Sequence, residues 1–299
     1  MRSIRAWRVM TTPSRAEPLL EARHLRTVFP TERGPVRAVD DVSFTIAPGE
    51  AVGLVGESGC GKSTALRALL GLIAPPGAIS GEVIFRGRDL RTMSDPELRR
   101  LRGGQISLIF QDPVNAFNPA LTIGEQLRRV LRLHRRRPPP DGYDAEILRM
   151  LARVGVDAQG KLNQYAFNFS QGQLQRIMIA AATLSGEPAL LLADEPTTSL
   201  DVTIEAQVLQ LLRELRAELG LALILVTHNL ALVAEVCDRV LVMYAGHLVE
   251  DGDVYSVFEH PAHPYTAQLL RAIPTFPHTG QRLNPLGGNV PDPTEPIVG

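Results

Sequence analysis

Short apolar runs recur along this chain, and stretches of helical spacing lie between them. Ala189 to Ala193 and Leu221 to Val226 are continuous apolar segments of strand length, the pattern of strands buried on both faces of a sheet. Ala51-Val52-Gly53-Leu54-Val55 and Ile106 to Phe110 read as further strands. Helices are predicted where Leu66, Leu69, Leu70 and Ile73 recur, over Glu125 to Leu133, Ala145 to Val154 and Leu174 to Leu184, and over Asp201 to Leu219, where Ile204, Val208, Leu211 and Leu215 share a face and Gly220 stops the run. The opening is different, because Leu19 to Phe29 and Val36 to Ile46 are strand-like before Pro48-Gly49 turns the chain. Ala74-Pro75-Pro76-Gly77 breaks the pattern, Gly81 to Gly87 returns as a strand, and Ser94-Asp95-Pro96-Glu97 has an N-cap residue with Glu at N3. Val240 to Tyr244 and His247 to Glu250 flank Ala245-Gly246 as a hairpin, and from Tyr255 the chain is a tail rich in Pro and His. The expected architecture is α/β: an antiparallel β opening, a mixed-sheet core, and a helical insertion over about 95–180.

Composition narrows the classes of function. With 299 residues and 44% hydrophobic content the chain supports one large core or two smaller ones, and a net charge of −1 gives no reason to expect nucleic acid as a partner. Cys60 and Cys237 are the two cysteines, so no disulfide framework is expected and a reducing compartment fits. No apolar run approaches the roughly 18 to 20 residues needed to span a bilayer. Residues 1–17 carry Arg2, Arg5, Arg8 and Arg15 without an apolar segment, which predicts a disordered extension rather than a secretory signal.

The chemistry-bearing residues sit at the ends of the apolar runs. Gly56-Glu57-Ser58-Gly59-Cys60-Gly61-Lys62-Ser63-Thr64 follows the first strand, opens a helix and fits G-x-x-x-x-G-K-[ST]. In such a loop glycines let backbone N–H groups converge on phosphate oxygens, Lys62 adds a compact positive charge, and Ser63 offers a hydroxyl to Mg²⁺. Asp194-Glu195 closes the run from Ala189 and His228 follows that from Leu221. In open α/β sheets ligands bind beyond these strand ends, so all three can meet a bound nucleotide. Phe169-Ser170-Gln171-Gly172-Gln173 is a polar turn ahead of a helix, an anion site or merely an N-cap. His134-Arg135-Arg136-Arg137-Pro138-Pro139-Pro140 reads as a stiff solvated loop or a basic docking patch.

Together the phosphate loop, Gln111, the Ser170 to Gln173 turn, Asp194-Glu195, Ser199-Leu200-Asp201 and His228 resemble, in order and spacing, an ATP-binding-cassette ATPase of the P-loop NTPase class. Val39 to Thr64, Ile109 to Leu127, Ala193 to Gln207 and Glu259-His260-Pro261-Ala262-His263-Pro264-Tyr265-Thr266 look more narrowly like the ATP-binding subunits of oligopeptide and dipeptide importers. The resemblance implies a cassette over 18–258, with its helical subdomain at about 95–180, and a C-terminal extension over 259–299. It implies that Gly56 to Thr64 hold the phosphates of ATP and that Ser63, Gln111 and, through water, Asp194 surround Mg²⁺. Glu195 is then the residue that polarises the attacking water, His228 contacts the γ-phosphate, and Phe29 is the candidate for stacking on adenine. Ser170, Gln171, Gly172 and Gln173, with Asp201, are implied to serve the ATP of a second cassette, paired head to tail. The implied partners are two membrane-spanning permease subunits, that second ATPase subunit and, indirectly, an extracytoplasmic solute-binding protein. The implied location is peripheral, on the cytoplasmic face of the cell membrane. Gln171 departs from the family's usual glycine, while Gly172 is kept. The tail lacks the cysteine cluster that many members carry, so no iron–sulfur site is expected. The competing class is a cassette ATPase acting on nucleic acid or ribosomes.

Overall fold

The computed structural model describes residues 17–134, 140–184, 188–198, 200–272 and 294. Two sheets share the work. Strands β1 (Leu20–Thr31) and β2 (Gly34–Ile46) form a long antiparallel ribbon, and after β3 (Ala51–Val55) and α1 (Lys62–Leu69) the chain returns to it through β4 (Ala78–Phe85) and β5 (Arg88–Asp89), giving the order β2-β1-β4-β5. Helix α2 (Asp95–Leu101) then leads into β6 (Ile106–Ile109). Four helices follow: α3 (Pro113–Ala116), α4 (Ile123–His134), α5 (Gly142–Arg153) and α6 (Gln171–Leu184). The chain re-enters the large sheet as β7 (Leu190–Asp194), passes through α7 (Val202–Leu219), β8 (Ala222–Val226) and α8 (Leu230–Val236), and closes with the hairpin β9 (Arg239–Tyr244) and β10 (His247–Asp253). The six strands lie in the order β10-β9-β3-β8-β7-β6, parallel except for β10. Helices α9 (Val254–Glu259) and α10 (Pro264–Arg271) end the described chain apart from Thr294.

The apolar strands are apolar because both faces of this sheet are covered. Val52, Leu54, Leu192, Ile224 and Leu241 face one core, shared with α1 and with Leu20, Leu25 and Phe85 of the ribbon. Their neighbours Ala51, Val55, Leu191, Leu223 and Val240 face the other, shared with Leu127, Ile147, Leu174 and Val208 of the helices. A period of two along a strand thus feeds two cores at once. The insertion over 95–180 is not wholly helical, since β6 lies within it and pairs with β7.

Several expectations shift. Ile73 lies beyond α1, because Leu70 caps the helix and Gly71 turns at φ 62. Within the Pro- and His-rich tail lie α9 and α10, and Tyr265 belongs to the helix-side core. Residues 1–16, Arg135 to Pro139 of the basic run, Ser199 and most of the chain beyond 272 lie outside the described residues. Among the described residues no helix is long and apolar enough to cross a membrane.

Candidate functional site

Four parallel strands end along one edge, and that edge gathers the polar groups. The pairings Leu54 with Val226, Val226 with Asp194, and Ala193 with Ile109 bring the carboxyl ends of β3, β8, β7 and β6 level. The loop after β3, Glu195 after β7, His228 two residues after β8 and Gln111 two residues after β6 are therefore neighbours.

Lys62 opens α1 and is only 4% exposed. Its ammonium donates to Gly56 O at 2.8 Å and Glu57 O at 2.7 Å, with Cys60 Sγ at 3.7 Å. Two of three donors are thus bound to the loop itself, and the third meets only a weak sulfur acceptor that a phosphate oxygen would displace. Gly56 is required by space: a Cβ there would lie 2.1 Å from Met243 O. Ser58 and Gly59 form the exposed crown of the loop, and Cys60 N–H donates to Glu57 O at 3.3 Å. Burial pushes the Cys60 thiol up, against the pull of Lys62, and pushes Cys237 up to about 12, so both behave as small buried residues.

Ser63 Oγ donates to Asp194 Oδ1 at 2.6 Å, which joins the loop to β7. Asp194 is 2% exposed, and burial raises its pKa while the Ser63 hydrogen bond and Arg67, 3.8 Å away, oppose the rise. Glu195 occupies the left-handed region at φ 44, unusual for a residue with a side chain, and its N–H is tied to Val226 O at 3.0 Å. That turn aims the carboxylate along the sheet edge. Glu195 Oε2 accepts from Thr198 Oγ1 at 2.7 Å and Gln111 Nε2 at 3.1 Å, and His228 Nδ1 lies 3.5 Å away. All three contacts fall on Oε2. His228 itself is largely exposed.

Ser63 with Asp194, and Glu195 with Gln111 and His228, therefore make two contact groups that meet at the consecutive residues Asp194 and Glu195, with Lys62 next to Ser63 in the loop. The Ser170 turn is elsewhere: Ser170 Oγ accepts Gln173 N–H at 3.3 Å while Gln173 Oε1 accepts Ser170 N–H at 3.0 Å, a reciprocal cap at the start of α6. Ser170 to Gln173 line a cavity of about 1110 Å³ with Asp201, Arg176 and Gln207, and no phosphate-loop residue reaches it. Asp201 caps α7 by accepting Ile204 N–H at 3.0 Å. Phe29 on β1 crowds, with Ile73, against the backbone at Gly77. Two contacts escaped the sequence reading, Thr198 on Glu195 and the Tyr265 hydroxyl on Glu57 N–H at 3.0 Å. The second has its only signal in the His263-Pro264-Tyr265 helix start.

Comparison with known proteins agrees with this geometry. The sequence matches the family described as ABC transporter over residues 39–198, and that described as oligopeptide/dipeptide transporter, C-terminal region, over 249–299. It is 46% identical over 281 residues to the oligopeptide transport ATP-binding protein OppD of Salmonella typhimurium, covering 94% of this chain and 83% of that protein. It is 44% identical over 286 residues to the dipeptide transport ATP-binding protein DppD of Bacillus subtilis, covering 95% and 85%. The solved structure of an ATP-binding cassette in a dimeric, post-hydrolysis state with ADP and Pi superposes with a TM-score of 0.70 at 27% identity, over 79% of this chain and 98% of that one. The matched span 39–198 runs from the phosphate loop through Gln111 and the Ser170 turn to Asp194 and Glu195, and on that basis the chain belongs to the ABC transporter family.

Proposed function

We propose that this chain is the ATP-binding and ATP-hydrolysing subunit of an ABC importer that takes up oligopeptides or dipeptides through separate membrane subunits. The observation that carries the hydrolytic part is the pair of hydrogen bonds from Ser63 to Asp194 and from Gln111 to Glu195 along one sheet edge, with Lys62 preceding Ser63 and Asp194 preceding Glu195 in the chain. The relatives named for peptide transport, and the matched C-terminal region, support the substrate class.

In this reading the loop 56–64 binds the phosphates of ATP, with its N–H groups and Lys62 meeting their charge. Ser63 hydroxyl and Asp194 carboxylate, 2.6 Å apart, and the amide oxygen of Gln111 at the same sheet edge are hard oxygen donors, a set that fits Mg²⁺ with Asp194 acting through water. When bound, the ion supplies charge neutralisation on the β- and γ-phosphates. Glu195 orients a water through Oε1 while Thr198 and Gln111 hold Oε2, so the base is fixed before reaction. His228 stands beside it, where a γ-phosphate would be sensed. The separate placement of the Ser170 turn supports a role at a second cassette's ATP, in a pair of like or similar chains. Phe29 remains the candidate adenine stack.

Beyond β6, Phe110 is 43% exposed and lines a groove of about 440 Å³ with Asn118, Leu121, Gln126 and Met178. An apolar groove next to Gln111 suits a short cytoplasmic helix of a membrane subunit. The chain then works peripherally on the cytoplasmic face, in a transporter fed by an extracytoplasmic solute-binding protein.

Glu195→Gln keeps the shape and hydrogen bonds of the side chain but removes its basicity. ATP affinity should stay within about threefold, hydrolysis should fall by at least about two orders of magnitude, and an ATP-bound dimer should accumulate. A variant that hydrolyses ATP at the wild-type rate places the base elsewhere.

A further inference from the structure

The tail helices reach back to the phosphate loop. Glu250 on β10 accepts the N–H groups of Ala262 at 2.7 Å and His263 at 3.1 Å, and His263 Nδ1 accepts Tyr265 N–H at 3.1 Å, which caps α10. These bonds turn Tyr265 inward, where it is 8% exposed with its ring 4.5 Å from that of Tyr244. Its hydroxyl accepts the N–H of Glu57 at 3.0 Å. The carbonyl of the same peptide unit, Gly56 O, accepts from Lys62 Nζ at 2.8 Å.

One planar peptide thus has Tyr265 at its donor end and the Lys62 ammonium at its acceptor end. Hydrogen bonds in such a series polarise one another. The plane is attached to Gly56, which the crowding by Met243 O obliges to be glycine, and glycine leaves the plane free to rotate unless something outside the loop holds it. Tyr265 is that hold. We propose that Tyr265 is a positioning residue for nucleotide, fixing the Gly56–Glu57 peptide and through it the Lys62 side chain in the shape that receives phosphate. The inference rests on reading 56–64 as the phosphate site. Burial pushes the Tyr265 phenol up to about 12, so the hydroxyl stays neutral throughout the working range of pH.

Tyr265→Phe leaves the ring against Tyr244 and removes only the hydroxyl. In the purified full chain, the dissociation constant for mant-ATP should rise about three- to tenfold, the loss of one neutral hydrogen bond. In the assembled transporter kcat at saturating ATP should stay within about twofold, so the effect falls on KM. On a Lys62→Ala background the same change should add less than about twofold, because there is no ammonium left to orient. Equal affinity of Tyr265→Phe and wild type, or a fully additive loss on the Lys62→Ala background, overturns the proposal. Impaired binding in Lys62→Ala beside unchanged binding in Tyr265→Phe removes this inference alone, whereas unchanged binding in Lys62→Ala removes the phosphate-site reading with it. Should Tyr265→Phe not fold, amide hydrogen exchange in the wild-type chain decides: the Glu57 amide should be protected without nucleotide, and free exchange there overturns the proposal.

Discussion

Lys62 owes its orientation to two carbonyls of its own loop, and the phosphate it is proposed to meet would otherwise face backbone dipoles alone. Lys62→Ala is expected to weaken ATP binding and abolish turnover in an equilibrium titration paired with a phosphate-release assay. Unchanged affinity and rate would remove the loop from the site. At this scale the sequence was informative wherever a residue's place follows from a strand end. Asp194, Glu195 and His228 could be grouped with the loop because parallel strands share a carboxyl edge, and the structure links all of them. Thr198 and Tyr265 were not legible. Their contacts depend on side-chain direction, and Tyr265 meets Glu57 across 208 positions of chain, a separation no local pattern encodes. Phe29 shows the same limit, since its neighbours Ile73 and Gly77 are set by the turn after α1.

Helices and strands were read best where periodicity and capping agree. Ser94 and Glu97 form the expected box at the start of α2. The hydrogen bond from Arg88, then those from Ser94, hold the Glu97 carboxyl down at about 2. A carboxyl lowered in the folded state favours folding above its ordinary value near 4.5, and that contribution is lost as pH falls through about 2. An NMR titration should find the Glu97 midpoint near 2 and a higher one in Arg88→Gln; the same midpoint in both would contradict the Arg88–Glu97 contact. Helix α4 buries Ile123, Leu127 and Leu131 on one face against the helix-side core. Leu127→Ala should cost about 2–5 kcal/mol in a urea unfolding titration, the range for removing a buried leucine side chain. A cost below about 1 kcal/mol would mean that this face is not packed as described. Periodicity failed at α1, where Gly71 ends the helix before Ile73, and it gave no element in the Pro- and His-rich tail, where Pro264 occupies the first turn of α10 behind the His263 cap.

At the scale of the whole molecule, the cavity at the Ser170 turn is lined by no phosphate-loop residue, and the proposed function has catalysis shared between two cassettes. If the chain pairs with itself, Lys62→Ala and Gly172→Asp subunits should each be nearly inactive and should regain activity when mixed, since a mixed dimer holds one intact loop opposite one intact turn. Wild-type activity of Gly172→Asp alone, in a complex containing no other cassette, would reject the role of the turn. Cysteines at Asn118 or Leu121 should cross-link to a membrane subunit in the assembled complex, and cross-links to none would move the coupling surface away from the groove. The central claim is that hydrolysis at the Glu195 edge drives peptide import. It is tested most directly by the steady-state ATP hydrolysis rate of the chain assembled with its membrane subunits and solute-binding protein, titrated with oligopeptides and dipeptides. The account predicts a saturable rise with peptide that disappears in Glu195→Gln; a rate indifferent to every peptide but raised by nucleic acid or ribosomes would contradict it.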